Sequence, residues 1–398
     1  MNTRLCRASW LLNNSRFNIF SSKSLLAPGF FLPERSTFTY DNPTRSELST
    51  LSQAFSFTSN FLSKRIAQNK NVDVIGIDPL RMVAKEMECL TGNIRQLLGS
   101  GHPSLDTVAK YYTQSEGKHI RPLIVLLMSR ATALAPKASG TKKNRNPVDI
   151  NHAISTLSVL SDVNPSAPST ISTANTQESH TDYDSDILPS QRRLAEITEL
   201  IHTASLLHDD VIDSSITRRG NPSANMQFGN KMAVLAGDFL LARASVALAR
   251  IRDAEVTELL ATVIANLVEG EFMQLKNTAR DEKNPVWTED IITYYLKKTY
   301  LKTASLISKS CRATALLNEA ELKIVDSAYL YGKNLGLAFQ LIDDMLDYTT
   351  CEKDLGKPAG ADLQLGLATA PLLFAWQHNE ELGSLVGRKF ANDGDVSR

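Results

Sequence analysis

The chain has 398 residues, enough for one large domain or two ordinary ones. Lys plus Arg and Asp plus Glu number 43 each, and a net charge of zero argues against a general nucleic-acid binder. Its four cysteines (Cys6, Cys89, Cys311 and Cys351) are far apart and form no CxxC pair, which argues against a disulfide framework or zinc site and suits a reducing compartment.

Residues 1–34 carry Arg4, Arg7, Arg16, Lys23 and several serines, with no acidic residue before Glu34. That composition predicts a mitochondrial transit peptide. Its apolar runs are too short and interrupted to span a bilayer. Residues 35–74 read as a linker or loosely attached arm, and a helical domain follows over 75–398. "DPLRMVAKEMECLTGNIRQLL" predicts a helix with Asp78 as N-cap and Pro79 at its first position. "HIRPLIVLLMSRATAL" predicts a second, strongly apolar one. Residues 136–187 are rich in Ser, Thr, Asn and Pro and predict a disordered insertion, because they bury too little to offset their ordering entropy.

Helical spacing resumes at Arg192 and continues almost to the end. "RRLAEITELIHTASLLHDDVID", "NKMAVLAGDFLLARASVALARI", "AEVTELLATVIANLVEGEFMQL" and "EAELKIVDSAYLYGKNLGLAFQLIDDMLDY" all suit long helices. Several are apolar nearly all round, which predicts positions inside a bundle. Strand signals are weak, so the expected fold class is all-α.

Two of these helices end in the same charge pattern. Asp209, Asp210 and Asp213 form one DDxxD cluster, and Asp343, Asp344 and Asp347 form another. On a helix, residues four apart stand on one face about 6 Å apart along the axis. Like charges at that spacing repel, so each cluster needs something positive nearby. Facing carboxylates suit a hard cation such as Mg²⁺, whose coordination is usually completed by water and substrate phosphates. The clusters therefore predict a metal-bridged diphosphate. Matching cations are available in Lys118 and Arg121 of "GKHIRP", Arg218 and Arg219 of "TRRG", Lys302 of "LKTASL" and Lys357 of "DLGKPAGAD". Neither a P-loop nor a GxGxxG fingerprint occurs, which argues against nucleotide binding.

"GKHIRP", "IHTASLLHDDVIDSSITRRG", "LKTASLI", "FQLIDDMLDY" and "DLGKPAGADLQLGLATAP" closely resemble the motifs of trans-prenyltransferases, the isoprenyl diphosphate synthases. The order and spacing agree over roughly 75–395, apart from the insertion. "GLATAP" and the transit-like start most resemble the mitochondrial long-chain (hexaprenyl to decaprenyl) synthases of ubiquinone biosynthesis. The resemblance implies an isoprenoid-synthase helix bundle with a central cavity. It implies successive condensation of isopentenyl diphosphate onto an allylic diphosphate (farnesyl or geranylgeranyl), with about three Mg²⁺ ions held by both aspartate clusters. It places Lys118, Arg121, His202 and Arg219 on isopentenyl diphosphate, and Arg218, Lys302 and Lys357 on the allylic diphosphate. It sets Thr303 and Gln340 beside the reacting carbons. It also implies a homo- or hetero-oligomer, no nucleic acid, and peripheral membrane contact for delivery of an apolar product.

One turn before Asp209 lie Ala204 and Ser205, both small. Bulky side chains there would block a growing chain, so a long product is expected over a C20 one. Departures from the family pattern are His119 in place of a second basic residue, Leu367 in place of a lysine in "GLATAP", the insertion, and a C-terminus several helices short. The alternative reading is a partner-dependent or non-catalytic subunit of a hetero-oligomeric synthase, in which the aspartate clusters would be expected to decay.

Overall fold

The computed structural model describes residues 79–100, 102–114, 119–138, 186–275, 285–349, 360–392 and 394–396. The expected transit peptide, the linker, Asp78, nearly all of the insertion, Lys118 and Lys357 lie outside these residues.

The first expected helix is interrupted. Helix α1 (Pro79–Met82) and α2 (Ala84–Leu97) are separated by Val83, whose φ of −127° and ψ of 25° leave the helical region. Val83 is nonetheless core, at 2% exposure, so the break turns its side chain inward. Helices α3 (Pro103–Gln114) and α4 (Ile120–Ala133) follow. His119 precedes α4 in the left-handed region, at φ 41°. The edges of the insertion are ordered more tightly than its composition suggests. Ala138 donates to the Glu319 carbonyl (2.8 Å), and Ile187 is 2% exposed, so residue 187 belongs to the core.

Helix α5 (Pro189–Ile212) is the central element. Pro189 opens it, and the Gln191 side chain accepts the Leu188 backbone N–H (2.9 Å), satisfying a donor at the helix start. Leu194, Ile197, Leu200, Ile201, Ala204 and Leu207 are all buried along one face, and the polar Gln191, Glu196, Thr198, Glu199 and Thr203 are buried around it, so α5 is enclosed on most sides. Each large aliphatic side chain there contributes roughly 1.5–3 kcal/mol by burial. A small hairpin follows, with β1 (Thr217–Arg218) antiparallel to β2 (Asn221–Pro222). Its two-residue turn is Arg219–Gly220, with φ of 54° and 75°, the positive-φ pair that a tight hairpin needs. Sequence periodicity cannot reveal strands this short.

After α6 (Ala224–Phe228), α7 (Asn230–Arg250) packs on α5 through Ala233, Ala236, Gly237, Leu240, Ala244 and Ala247. These small residues allow close approach: a Cβ on Gly237 would lie 2.2 Å from His208 Nε2. Helix α7 is the one described helix long and apolar enough to cross a membrane, and its small-residue face is spent on packing. Helix α8 (Ala254–Leu275) comes next, then α9 (Glu289–Thr299). A π-helical turn, π1 (Tyr300–Ala304), leads into α10 (Ser305–Leu317). The longest helix, α11 (Leu322–Thr349), packs along α10 and π1. Short α12 (Ala361–Gln364), α13 (Ala370–His378) and α14 (Leu382–Gly387) complete the described chain.

The all-α expectation is met. The expected placement of several helices inside the bundle holds for α5 but not for every face of α8 and α11. On α8, Val268, Phe272 and Leu275 are 53%, 62% and 59% exposed, and on α11 Phe339 and Ile342 are 40% and 50% exposed. The apolar content of a segment does not tell a helix sealed inside one chain from one whose outer face is bare.

Candidate active site

The site is built where α5, α8, α11 and π1 converge. The π-turn carries Lys302 and Thr303 and is approached closely from two sides. A Cβ on Gly270 of α8 would lie 2.9 Å from the Lys302 backbone nitrogen, and one on Gly336 of α11 would lie 2.6 Å from Ala304 Cα. Only glycine permits both approaches. Single-turn π segments of this kind are frequent at functional sites.

The first aspartate cluster divides into two kinds of carboxylate. Asp209 and Asp213 are half-buried and one helical turn apart, the Asp213 N–H donating to the Asp209 carbonyl (2.8 Å). Burial raises the Asp209 carboxyl to about 6, with Glu271 and Asp213 adding repulsion and Lys302 opposing them. Asp213 is raised for the same reasons. Neither side chain takes a hydrogen bond or joins an ion pair among the described residues, so both carboxylates are open to an external cation. Asp210 is different. It is fully buried, and it accepts hydrogen bonds from Arg218 Nε (2.9 Å), from the Arg218 guanidinium terminus and from the Tyr112 hydroxyl. Tyr112 in turn accepts the Ala224 N–H (2.8 Å), which ties α3, α5 and α6 to the hairpin.

The second cluster divides likewise. Asp344 is 3% exposed and accepts from the Tyr295 hydroxyl (2.5 Å) and Gln340 Nε2 (2.8 Å). Asp347, 1% exposed, accepts the Asp362 N–H (3.1 Å). Asp343 is half-buried. Thus three of the six aspartates expected to be metal ligands (Asp210, Asp344 and Asp347) are buried and hold protein donors. Among the described residues, no three acidic, His or Cys side chains enclose an ion-sized site. The fit to a divalent cation therefore rests on the uncompensated Asp209–Asp213 pair. A cation there would need water and phosphate oxygens to complete its shell, which is how Mg²⁺ is usually held.

Between the two clusters lies an ion pair that the spacing did not reveal. Lys302 Nζ is 2.6 Å from Glu271 Oε2 and donates to Gln274 Oε1 (3.1 Å). Glu271 and Gln274 were legible only as polar residues interrupting the apolar run of α8. Thr303 and Gln340, both placed beside the reacting carbons by the family resemblance, are joined directly: Thr303 Oγ1 donates to Gln340 Oε1 (2.9 Å), and Gln340 Nε2 donates in turn to Asp344.

A cluster of basic side chains lies beside α5. Arg121 contacts His202 Nε2 (2.9 Å), and His119 Nδ1 lies 2.9 Å from Glu199 Oε1. Burial and then the charges of Arg121, Arg219 and Arg218 push His202 well below the ordinary histidine value, so its ring is neutral and accepts from Arg121. Burial and nearby Arg219 also lower Arg121. Several cations against one buried carboxylate make a site for an anion. Arg219 itself is exposed. Ser205 is half-buried, donating to the His202 carbonyl (2.8 Å), whereas Ala204 is wholly buried in the core.

A family model described as polyprenyl synthetase matches residues 169–398. A probable mitochondrial hexaprenyl pyrophosphate synthase of Neurospora crassa is 69% identical over 350 residues, covering 87% of this chain and 76% of that protein. A mitochondrial hexaprenyl pyrophosphate synthase of Saccharomyces cerevisiae is 46% identical over 402 residues, covering 86% of this chain and 84% of that one. Among solved structures, a polyprenyl synthase from Caulobacter crescentus complexed with calcium and isoprenyl diphosphate is 28% identical, with a TM-score of 0.59. It covers 80% of this chain and 81% of that one.

Proposed function

The chain belongs to the polyprenyl synthetase family, and from that premise we propose how its own residues carry the reaction. The protein is a prenyltransferase, a long-chain polyprenyl diphosphate synthase of the mitochondrial type that supplies the ubiquinone side chain. Its substrates are isopentenyl diphosphate and an allylic diphosphate, and it uses a divalent metal. The observation that carries the residue assignment is the placement of the open Asp209–Asp213 pair against Lys302, itself held by Glu271 and Gln274.

Mg²⁺ would be held by Asp209 and Asp213 with Asp343 from the second cluster, about three ions joining with the diphosphate. Bound there, it would supply Lewis-acid stabilisation of the leaving diphosphate. Arg218, Lys302 and Lys357 hold the allylic diphosphate as its C–O bond breaks and the electron pair passes to the diphosphate oxygen. Asp210 fixes the guanidinium of Arg218 rather than binding metal. Asp344 orients Gln340, which with Thr303 presents oxygen dipoles to the electron-deficient allylic carbon. The isopentenyl double bond attacks that carbon, a C–C bond forms, and a proton is lost to the released diphosphate. Lys118, Arg121, His202 and Arg219 hold isopentenyl diphosphate, and Ser205 leaves room for the growing chain. The bare α8 stripe of Val268, Phe272 and Leu275 supports an oligomer in which that face is covered.

Purified protein with labelled isopentenyl diphosphate, farnesyl diphosphate and Mg²⁺ tests the reading. A ladder ending at one long product, lost with EDTA or with Asp209→Ala, is expected. Folded wild-type protein yielding no product, alone or as an oligomer, overturns it.

A further inference from the structure

We propose that Lys298 is an additional anion-binding residue of the active site, contacting the allylic diphosphate from the side of the second aspartate cluster; this rests on the proposed function. Lys298 lies on α9, one turn before Lys302, and is 8% exposed. Its neighbour Lys297 is exposed. Lys302 is held directly by Glu271 and Gln274, whereas Lys298 makes no ion pair or hydrogen bond among the described residues. Its ammonium instead stands 5.4 Å from the centre of the Tyr295 ring. Asp344, Asp362 and Glu271 act on it from a distance, and Lys302 repels it. Burial lowers its affinity for the proton, with Asp344 chief among the groups that resist this.

A buried ammonium beside a second lysine is costly unless an anion is held there. The carboxylate best placed to pair with it, Asp344, already accepts from Tyr295 and Gln340. Tyr295 thus binds Asp344 by its hydroxyl and offers Lys298 its ring face, a contact that positions the ammonium without neutralising it. The missing partner is a compact, multiply charged anion, and the diphosphate already assigned to Lys302 has that chemistry.

The test is Lys298→Met, which keeps the apolar stem, with Lys298→Gln as a second variant that keeps a polar tip near Asp344. Inorganic pyrophosphate binding in Mg²⁺, KM for farnesyl and isopentenyl diphosphates, and Tm are measured for each. On the order of tenfold weaker pyrophosphate binding is expected, with a similar rise in KM for farnesyl diphosphate. KM for isopentenyl diphosphate should hold within about twofold and Tm should not fall, since a buried charge has been removed. Lys298→Arg should restore most of the pyrophosphate affinity. Unchanged pyrophosphate binding overturns the proposal, as does a loss of both substrates' affinities together with Tm. Wild-type protein that makes no product refutes the proposed function itself, so the two failures are distinguishable.

Discussion

Replacing Arg218 by methionine isolates the buried half of the first aspartate cluster. Asp210 is 0% exposed and takes its hydrogen bonds from Arg218 and the Tyr112 hydroxyl. Removing one partner of a buried pair typically costs about 3–5 kcal/mol, because a charge is left without compensation. The Arg218 side chain is 30% exposed, so water can follow the deletion, and Tyr112 still donates. We therefore expect the lower end, a loss of ~3 kcal/mol. Urea unfolding followed by circular dichroism measures it. Arg218→Met/Asp210→Leu should recover much of the loss. A change under about 1 kcal/mol, or no recovery in the double variant, refutes the assignment of Asp210 to Arg218.

Asp209→Asn and Asp213→Asn should each weaken Mn²⁺ binding with pyrophosphate by more than about tenfold, whereas Asp210→Asn should chiefly lower stability; electron paramagnetic resonance separates the two effects. Glu271→Gln should move the Asp209 carboxyl, raised to about 6, back toward the ordinary value, as read by carboxyl NMR. Gly336→Ala drives a methyl to within 2.6 Å of Ala304 Cα and should cost about 1–3 kcal/mol and reduce kcat, because π1 must shift. His202 is held neutral when folded, so the unfolded chain takes up the extra proton below about pH 6.5, and stability should fall with acid there. His202→Gln should flatten that slope in thermal melts at pH 5 to 7.

The long helices and both DDxxD clusters were legible because helical spacing and charge repetition are local properties of the sequence, whereas Thr303 and Gln340 came only from the family resemblance and their bond to each other was not foreseen. The division of labour within each cluster was not. Asp209 and Asp210 are chemically identical neighbours, and only the packing of α3 and the hairpin turns one inward. Lys297 and Lys298 pose the same problem, although Lys298 stands four residues from Lys302, a spacing that could have singled it out. The break at Val83 and the π-turn depend on contacts with other helices. The glycines that permit the π-turn, Gly270 and Gly336, lie in two different helices far from it in sequence.

The hairpin after α5 has a consequence for insertions and deletions. Arg218 sits on its first strand and reaches back to Asp210, while the charge of Arg219, on the turn, is felt at His202 and Arg121. Both charges reach His202, while Arg218 also bonds Asp210, and the two-residue turn fixes the spacing between the two guanidinium groups. Lengthening that turn by a single residue would leave the composition of "TRRG" nearly intact and yet reassign both guanidinium groups. In this loop, length is a more stringent specification than residue identity.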